Sequence, residues 1–146
     1  MFEFKKFKIL VCAGSGGVGK TTVSAALGIL AAQQGLRVLV LTIDPAKRLA
    51  NALGLEVDEI PDAVKVPGQN YKGALYAAMV EPKKVFDDFI RKNAPNKGVV
   101  EKLLQNSLYK QLSTTLSGSQ EFTSLEMLLS AYQSGKYDLV ILDTPP

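Results

Sequence analysis

The sequence predicts an α/β fold with a mostly parallel, doubly wound sheet and helices on both faces. Four short apolar runs, at residues 8–13, 37–43, 74–80 and 138–143, lack polar alternation, as strands buried inside a parallel sheet do. Helical patterns separate these runs, and a glycine cluster at residues 14–19 joins the first run to the first helix. The chain has 146 residues, of which 47% are apolar and 21% charged, which suits one globular domain.

The first third of the chain predicts a strand, a helix and a second strand. Residues 8–13 form an apolar run that stops at glycines, and we expect this strand to be buried on both faces. Residues 22–34 predict a helix that ends at Gly35, because glycine is common as a C-terminal cap. Residues 37–43 are β-branched or leucine and predict the second strand, so the unit is a right-handed crossover. The apolar positions of the helix recur at helical spacing: Val23, Ala26, Leu27, Leu30 and Ala31.

The rest of the chain alternates helices with two further strands. Asp44 and Pro45 predict the start of a short helix that ends at Gly54, and residues 56–72 predict an irregular connection. Residues 74–80 predict the third strand, and Pro82 begins a helix that runs to about residue 93. Residues 99–116 predict one or two helices, and residues 117–133 one helix, with apolar spacing, that ends at Gly135. A fourth strand at residues 138–143 comes last. Because doubly wound sheets usually have five or more strands, we expect an N-terminal portion of a longer domain. The helices predicted between the third strand and the fourth are expected to form a helical insertion at about residues 83–117.

The composition excludes most kinds of catalytic site. With no histidine and one cysteine, the chain cannot form a Ser-His-Asp triad, a Cys-His dyad, a structural zinc site or an internal disulfide. Cys12 lies in an apolar run and is predicted to be a buried, inert thiol. No apolar run is long enough to span a membrane, so we predict a cytoplasmic protein. The net charge of +3 does not indicate a nucleic-acid or membrane-surface partner.

Residues 14–21 match G-x-x-x-x-G-K-T between a strand and a helix, which predicts a phosphate-binding loop. Glycines let the loop curl so that its N–H groups point inward, and the helix N-terminus adds a partial positive charge. Lys20 is expected to reach the β- and γ-phosphates, and the Thr21 hydroxyl to ligate Mg²⁺. The predicted nucleotide contacts are Ser15, Gly16, Gly17, Val18, Gly19, Lys20, Thr21 and Thr22.

Two aspartates end strands where phosphoryl-transfer chemistry needs carboxylates. Asp143 ends a buried apolar strand, the Walker B pattern, and is predicted to bind nucleotide and support Mg²⁺. Asp44 follows the second strand, and ligands of open α/β sheets bind at the carboxyl ends of strands. Its carboxylate suits both the orientation of an attacking water and the capping of the following helix, and spacing alone leaves both roles open.

Three segments together resemble the arsenite-pump and tail-anchored-protein-targeting ATPases, a family of dimeric P-loop ATPases. Residues 16–22 (GGVGKTT) are similar to the phosphate loop of that family, and residues 42–46 (TIDPA) resemble its switch I segment. Residues 138–145 (DLVILDTP) resemble its Walker B strand and the start of switch II. The D-P-A and D-T-x-P segments distinguish this branch from other P-loop proteins.

The resemblance implies ATP and Mg²⁺ as ligands of the loop residues, with Asp44 positioning the hydrolytic water and Asp143 sensing the γ-phosphate. It also implies a homodimer across the nucleotide and a membrane-pump or hydrophobic client partner. Residues 83–117 are the candidate client region. Their apolar side chains suit either a groove or ordinary core packing.

Two departures from the family pattern are visible. A second lysine usually precedes the Gly-Gly pair and contacts the partner subunit's nucleotide, but this chain has Ser15 there. Lys47 and Arg48 are hypothesised to supply that charge. The cysteines that bridge metalloid or zinc in the family are absent, which argues against arsenite transport. A targeting-type GTPase and a regulatory nucleotide-binding module with little turnover remain alternative interpretations.

Overall fold

The computed structural model of the chain describes residues 2–43, 48–55, 63–68, 70–94, 96–116 and 120–144. Within them lie five strands: β1 (Ile9–Cys12), β2 (Arg37–Thr42), β3 (Val64–Lys65), β4 (Ala74–Met79) and β5 (Leu139–Asp143). The helices are α1 (Lys20–Gln33), α2 (Arg48–Ala52), α3 (Pro82–Asn93), α4 (Lys97–Gln105), α5 (Ser107–Leu116) and α6 (Gln120–Gln133). A 3₁₀ turn over Phe4–Lys6 precedes β1.

The strands form one sheet in the order β1-β5-β2-β4-β3, and all neighbours are parallel except β3, which is antiparallel to β4. The α/β class and the parallel, doubly wound sheet are therefore confirmed. Parallel strands place their carboxyl ends at one edge of the sheet, so the ends of β1, β2 and β5 lie together. Cys12, Thr42 and Asp143 occupy those ends, and Asp143 is paired in register with both of the others.

Alternate side chains of the central strands enter two cores on opposite faces of the sheet, as the pleat requires. On one face, Val38, Val40 and Ile141 pack with α1 and α2. On the other face, Leu39 and Leu41 pack with Leu128 of α6. Helices α3, α4 and α5 form a layer beyond α6, where α3 contacts all three of the other helices.

The strand at residues 64–65 corrects one prediction. These residues fall inside the segment 56–72, which was predicted to be an irregular connection, and four strands were expected. Val64 pairs with Ala77, and Lys65 pairs with Tyr76. A two-residue strand is too short to produce a periodic pattern in the sequence. It is recognised as a strand only because it pairs with β4 in the folded chain.

The burial predicted for β1 was also wrong. Among the described residues β1 lies at the end of the strand order and pairs with β5 alone, and Val11 is 55% exposed. Cys12, predicted to be buried, is half-buried for the same reason.

Helix α1 lies where the sequence predicted it, and the face that it buries consists mainly of small residues. Ser24, Ala25, Gly28, Ala31 and Ala32 face the core, whereas Val23, Ala26 and Leu30 are exposed. A methyl group on Gly28 would lie 2.7 Å from Val40 Cγ2 and 3.0 Å from Leu75 Cδ1. Small residues therefore let α1 pack very close to the sheet. In α6, Leu125, Leu129 and Tyr132 are likewise exposed, although the helix itself was predicted.

The amino-terminal edge of the sheet is fixed by an ion pair between β2 and the start of β5. The Arg37 guanidinium donates to both Asp138 carboxylate oxygens, at 2.8 Å and 3.1 Å, and the Arg37 backbone N–H donates to the same carboxylate at 2.8 Å. These hydrogen bonds lower the pKa of Asp138 to about 2. The carboxylate therefore stays ionised throughout the neutral range.

Helix α3 begins at Pro82 and ends at Asn93, as predicted, and residues 99–116 contain two helices. Aromatic rings connect this layer, because Phe86 contacts both Tyr109 and Phe122. Among the apolar residues predicted to line a groove or a core, Val100 is buried while Val99, Leu103 and Leu108 are exposed. In the described part of the chain, none of the helices is long and apolar enough to cross a bilayer.

Candidate functional site

The glycine loop connects the end of β1 to α1 and adopts a conformation that only glycines take easily. Gly17 has φ +78° and Gly19 has φ +89°, and both values lie in the left-handed region. Gly19 caps α1, and the first helical hydrogen bond runs from the Val23 N–H to the Gly19 carbonyl. The N–H groups of the first residues of α1 therefore have no partner within the helix and point towards the loop side.

Lys20 is the first residue of α1 and folds its side chain back over the loop. Its ammonium donates to the carbonyl oxygens of Gly14 and Ser15, at 2.9 Å each. Both bonds are exposed to solvent. The positive charge thus lies over the loop and is held by neutral carbonyl oxygens. An anion such as phosphate accepts hydrogen bonds from an ammonium more strongly and would replace them.

Thr21 connects the loop to the far strand β5. Its hydroxyl donates to Asp143 Oδ2 at 2.7 Å across 122 residues of sequence. Thr42, at the end of β2, donates to the same oxygen at 3.1 Å. Asp143 is 2% exposed, and its other oxygen, Oδ1, is buried without a hydrogen-bond partner in the described residues.

The lack of a partner for Asp143 Oδ1 among the described residues indicates whether a metal ion fits this site. Leaving a buried charged oxygen without a partner costs about 1–3 kcal/mol or more, so native structures rarely do so without a functional reason. A hydroxyl and a carboxylate are hard oxygen ligands of the type Mg²⁺ prefers, and Mg²⁺ commonly takes one or two protein ligands, with phosphate and water completing the shell. Thr21 and Asp143 fit such an ion.

The loop, α2 and the end of β5 enclose a cleft of about 630 Å³. Of the predicted contacts, Gly16, Gly17, Gly19, Lys20, Thr21, Thr22 and Asp143 line this cleft. Ser15 and Val18 are not among the lining residues: Ser15 contributes its carbonyl to Lys20, and the Val18 side chain is exposed. Asp44 and Lys47 lie outside the described residues, as does the predicted start of the helix at Pro45.

Helix α2 brings three further residues to the cleft, Arg48, Asn51 and Ala52. The sequence had suggested Arg48 only through its position beside Asp44. Asn51 and Ala52 could not be predicted from the sequence, because they belong to no recognisable motif. Thr144 also lines the cleft, and its hydroxyl donates to the Cys12 carbonyl at 2.9 Å, which fastens the end of β5 to β1.

A parallel α/β sheet whose first strand enters a G-x-x-x-x-G-K-T loop at a helix N-terminus defines the P-loop NTPase class of fold, and this chain has that fold. The model of the anion-transporting ATPase family matches residues 7–146. The chain therefore belongs to the anion-transporting ATPase family, and the resemblance noted in the sequence is confirmed.

Named relatives agree with this membership. The chain is 30% identical to the ATPase ASNA1 homolog 1 of Paramecium tetraurelia, covering 100% of this chain and 42% of that protein. It is 32% identical to the putative arsenical pump-driving ATPase 1 of Aquifex aeolicus, covering 95% and 35%. It is 30% identical to the ATPase GET3 of Malassezia globosa, covering 100% and 41%. The chain thus spans about two-fifths or less of the length of these relatives.

Proposed function

We propose that this chain forms the nucleotide-binding part of an ATPase that uses Mg-ATP to drive a conformational switch. The observation that carries the proposal is the 2.7 Å hydrogen bond between Thr21 and Asp143, beside an Asp143 oxygen that has no hydrogen-bond partner among the residues that the structure describes. It joins the phosphate-loop helix to the Walker B strand at the oxygens a metal–triphosphate complex requires. The names of the relatives, all ATPases, favour ATP over GTP.

Binding starts with the loop and Lys20. Inward N–H groups of the loop and the free N–H groups of α1 would hold the β- and γ-phosphate oxygens. Lys20 would exchange its bonds to the Gly14 and Ser15 carbonyls for phosphate oxygens, which are charged acceptors and bind an ammonium more strongly. Little rearrangement is needed, since the ammonium already lies over the loop.

Thr21 and Asp143 would hold Mg²⁺ through the Thr21 hydroxyl oxygen and the Asp143 carboxylate. A bound Mg²⁺ polarises the phosphoryl oxygens and offsets the negative charge that develops on them. Thr21 can keep donating its proton to Asp143 while its oxygen faces the metal, so the hydrogen bond already present would organise the site in advance.

Hydrolysis requires a water positioned in line with the γ-phosphate. We assign this role to Asp44, two residues beyond Thr42 at the end of β2. The water oxygen bonds to the γ-phosphorus while the bond to the β–γ bridging oxygen breaks, so ADP and phosphate form and the water proton passes to solvent or phosphate. No covalent intermediate or histidine is required, which suits a chain with no histidine.

Arg48 is our candidate for the second cation that Ser15 does not supply. It lines the cleft from α2, and its guanidinium can donate two parallel hydrogen bonds to phosphate oxygens. Lys47, its neighbour, remains a candidate from sequence alone. In either case the charge would come from switch I, so closing that segment would complete the site.

The dimeric switch and its client follow from the family and are proposals for the whole protein. Two subunits would close on Mg-ATP and reopen after phosphate release. The exposed Val99, Leu103 and Leu108 on α4 and α5 mark the surface where a hydrophobic client or a membrane pump would act.

A regulatory module that binds nucleotide but barely hydrolyses it is the second candidate, and Ser15 is the feature that favours it. Phosphate release by the full-length protein distinguishes the two, measured for the wild type, Lys20→Ala and Asp44→Asn. We expect Asp44→Asn to bind Mg-ATP like the wild type but to lose at least 100-fold in turnover, and Lys20→Ala to lose binding. If the wild type and Asp44→Asn bind Mg-ATP equally and neither releases phosphate, the protein is a regulatory nucleotide-binding module and not a switch ATPase.

A further inference from the structure

Thr42 is the last residue of β2 and sits in the centre of the sheet, between β5 and β4. It is paired in register with Asp143 on one side and Met79 on the other, and it is 3% exposed. Neighbours in register on adjacent strands point their side chains to the same face. The sheet register itself therefore brings the Thr42 hydroxyl beside the Asp143 carboxylate.

Two hydroxyls from different elements share one carboxylate oxygen. Thr21 of α1 and Thr42 of β2 both donate to Asp143 Oδ2, at 2.7 Å and 3.1 Å. Rotation of the carboxylate would break both bonds, so the pair fixes which oxygen is occupied. Oδ1 is left without a partner in the described part of the chain.

The residue type at position 42 supports a specific use of its hydroxyl. Residues 38–41 of β2 are buried and apolar, and valine would fill nearly the same volume as threonine at the next position. Valine would also avoid burying a hydroxyl that needs a partner. The hydrogen bond to Asp143 is an interaction that threonine makes at this position and valine could not make.

We propose that Thr42 is a positioning residue for the metal–nucleotide site: it holds the Asp143 carboxylate so that Oδ1 stays available to the Mg²⁺ that accompanies the nucleotide. This inference rests on the proposed function, because it assumes that Mg-ATP binds at this cleft. Thr21 is expected to face the metal with its oxygen while it still donates to Asp143, and Thr42 donates to the same carboxylate without contacting the metal. The carboxylate then keeps its orientation when the site is loaded.

The test compares ATP affinity with Mg²⁺ and with EDTA, by calorimetry on the full-length protein. Thr42→Val removes the hydroxyl at nearly constant volume, and Thr42→Ser keeps it. A hydrogen bond to a charged group is worth about tenfold or more in affinity. The increase in ATP affinity that Mg²⁺ causes, called the Mg²⁺ gain, should therefore be about tenfold smaller in Thr42→Val than in the wild type. Its affinity in EDTA should not change, and Thr42→Ser should restore the gain.

Thr123→Val provides the matched control, because Thr123 is as buried as Thr42 but lies on α6, none of whose described residues lines the cleft. It should leave the Mg²⁺ gain unchanged. Equal losses for Thr42→Val in Mg²⁺ and EDTA, or no loss at all, would overturn the positioning role. If Thr42→Val does not fold, Thr42→Ala replaces it in the same comparison. A wild-type protein with no Mg²⁺ gain would instead contradict the proposed function itself.

Discussion

Replacing Asp143 by asparagine should make the metal-free protein more stable while removing the Mg²⁺ dependence of nucleotide binding. The carboxylate is 2% exposed and has no cation bonded to it among the described residues. Burying a charge in this way costs several kcal/mol. Asparagine removes the charge but weakens the two hydroxyl bonds, by about 1 kcal/mol each. The free energy of unfolding should therefore rise by about 2 kcal/mol.

Asp138→Asn is the matched control, because the same substitution is made at the other end of β5 on a carboxylate that has a cation partner. It should lower the free energy of unfolding by about 1 kcal/mol, after allowing for solvent screening of an exposed ion pair. Since the pKa of Asp138 is lowered to about 2, its contribution is present above the ordinary value of 3.8 and is lost as the pH falls through 2. The variant should lack this acid-dependent loss.

The assay is urea unfolding of the full-length protein in EDTA, followed by circular dichroism, with calorimetry for ATP in Mg²⁺. Asp143→Asn should unfold at higher urea than the wild type, with an unchanged slope, and should bind ATP equally in Mg²⁺ and EDTA. A loss of stability as large as that of Asp138→Asn would refute the reasoning. The Asp143 carboxylate would then stabilise the metal-free fold through its hydrogen bonds, and it would not be a ligand that needs a metal ion.

Three further predictions concern the loop, α2 and the core. Lys20→Ala should reduce ATP affinity by at least 100-fold, measured by calorimetry, with little change in melting temperature because the two hydrogen bonds that it loses are exposed to solvent. Arg48→Ala should weaken Mg-ATP binding about tenfold, whereas Lys72→Ala, an exposed cation outside the cleft, should not. Gly73→Ala should destabilise the protein by about 3 kcal/mol in urea unfolding, because its Cβ would overlap the Leu36 carbonyl oxygen. A soluble, equally stable Gly73→Ala protein would contradict that contact.

The order and type of the main elements could be predicted because their signals are local. β2 and β5 are continuous apolar runs, and β5 is buried throughout while β2 is buried at every residue after Arg37. Pro82 fixed the start of α3, since proline suits the first turn of a helix. β1 looked the same in sequence, yet within the described residues it pairs only with β5 and is partly exposed. Strand order depends on contacts between distant segments, and an apolar run does not encode its own neighbours.

The same distinction applies to the candidate site. The loop motif is contiguous, so its glycines, Lys20 and Thr21 could be assigned before folding. Thr42 could not, because it lies 101 residues from Asp143 and only the register of β2 against β5 brings the two side chains together. Arg48 was suggested by proximity to Asp44, and the cleft includes it. Asn51 and Ala52 became visible only when α2 was placed beside the loop.

The apolar spacing of α1 predicts a helix but does not identify the face that is buried, for a reason that bears on the site. Hydrophobic spacing selects the largest apolar side chains, but α1 buries its smallest residues so that it can approach the sheet closely. Gly28 lies seven residues, or two turns, after Thr21 and hence on the same face of the helix. A side chain at Gly28 would meet Val40 Cγ2 at 2.7 Å, shorter than the 3.4–4 Å of ordinary contact. Moving α1 outward to relieve it would stretch the 2.7 Å bond from Thr21 to Asp143. The close packing of the helix on the sheet therefore sets the distance between the two proposed metal ligands.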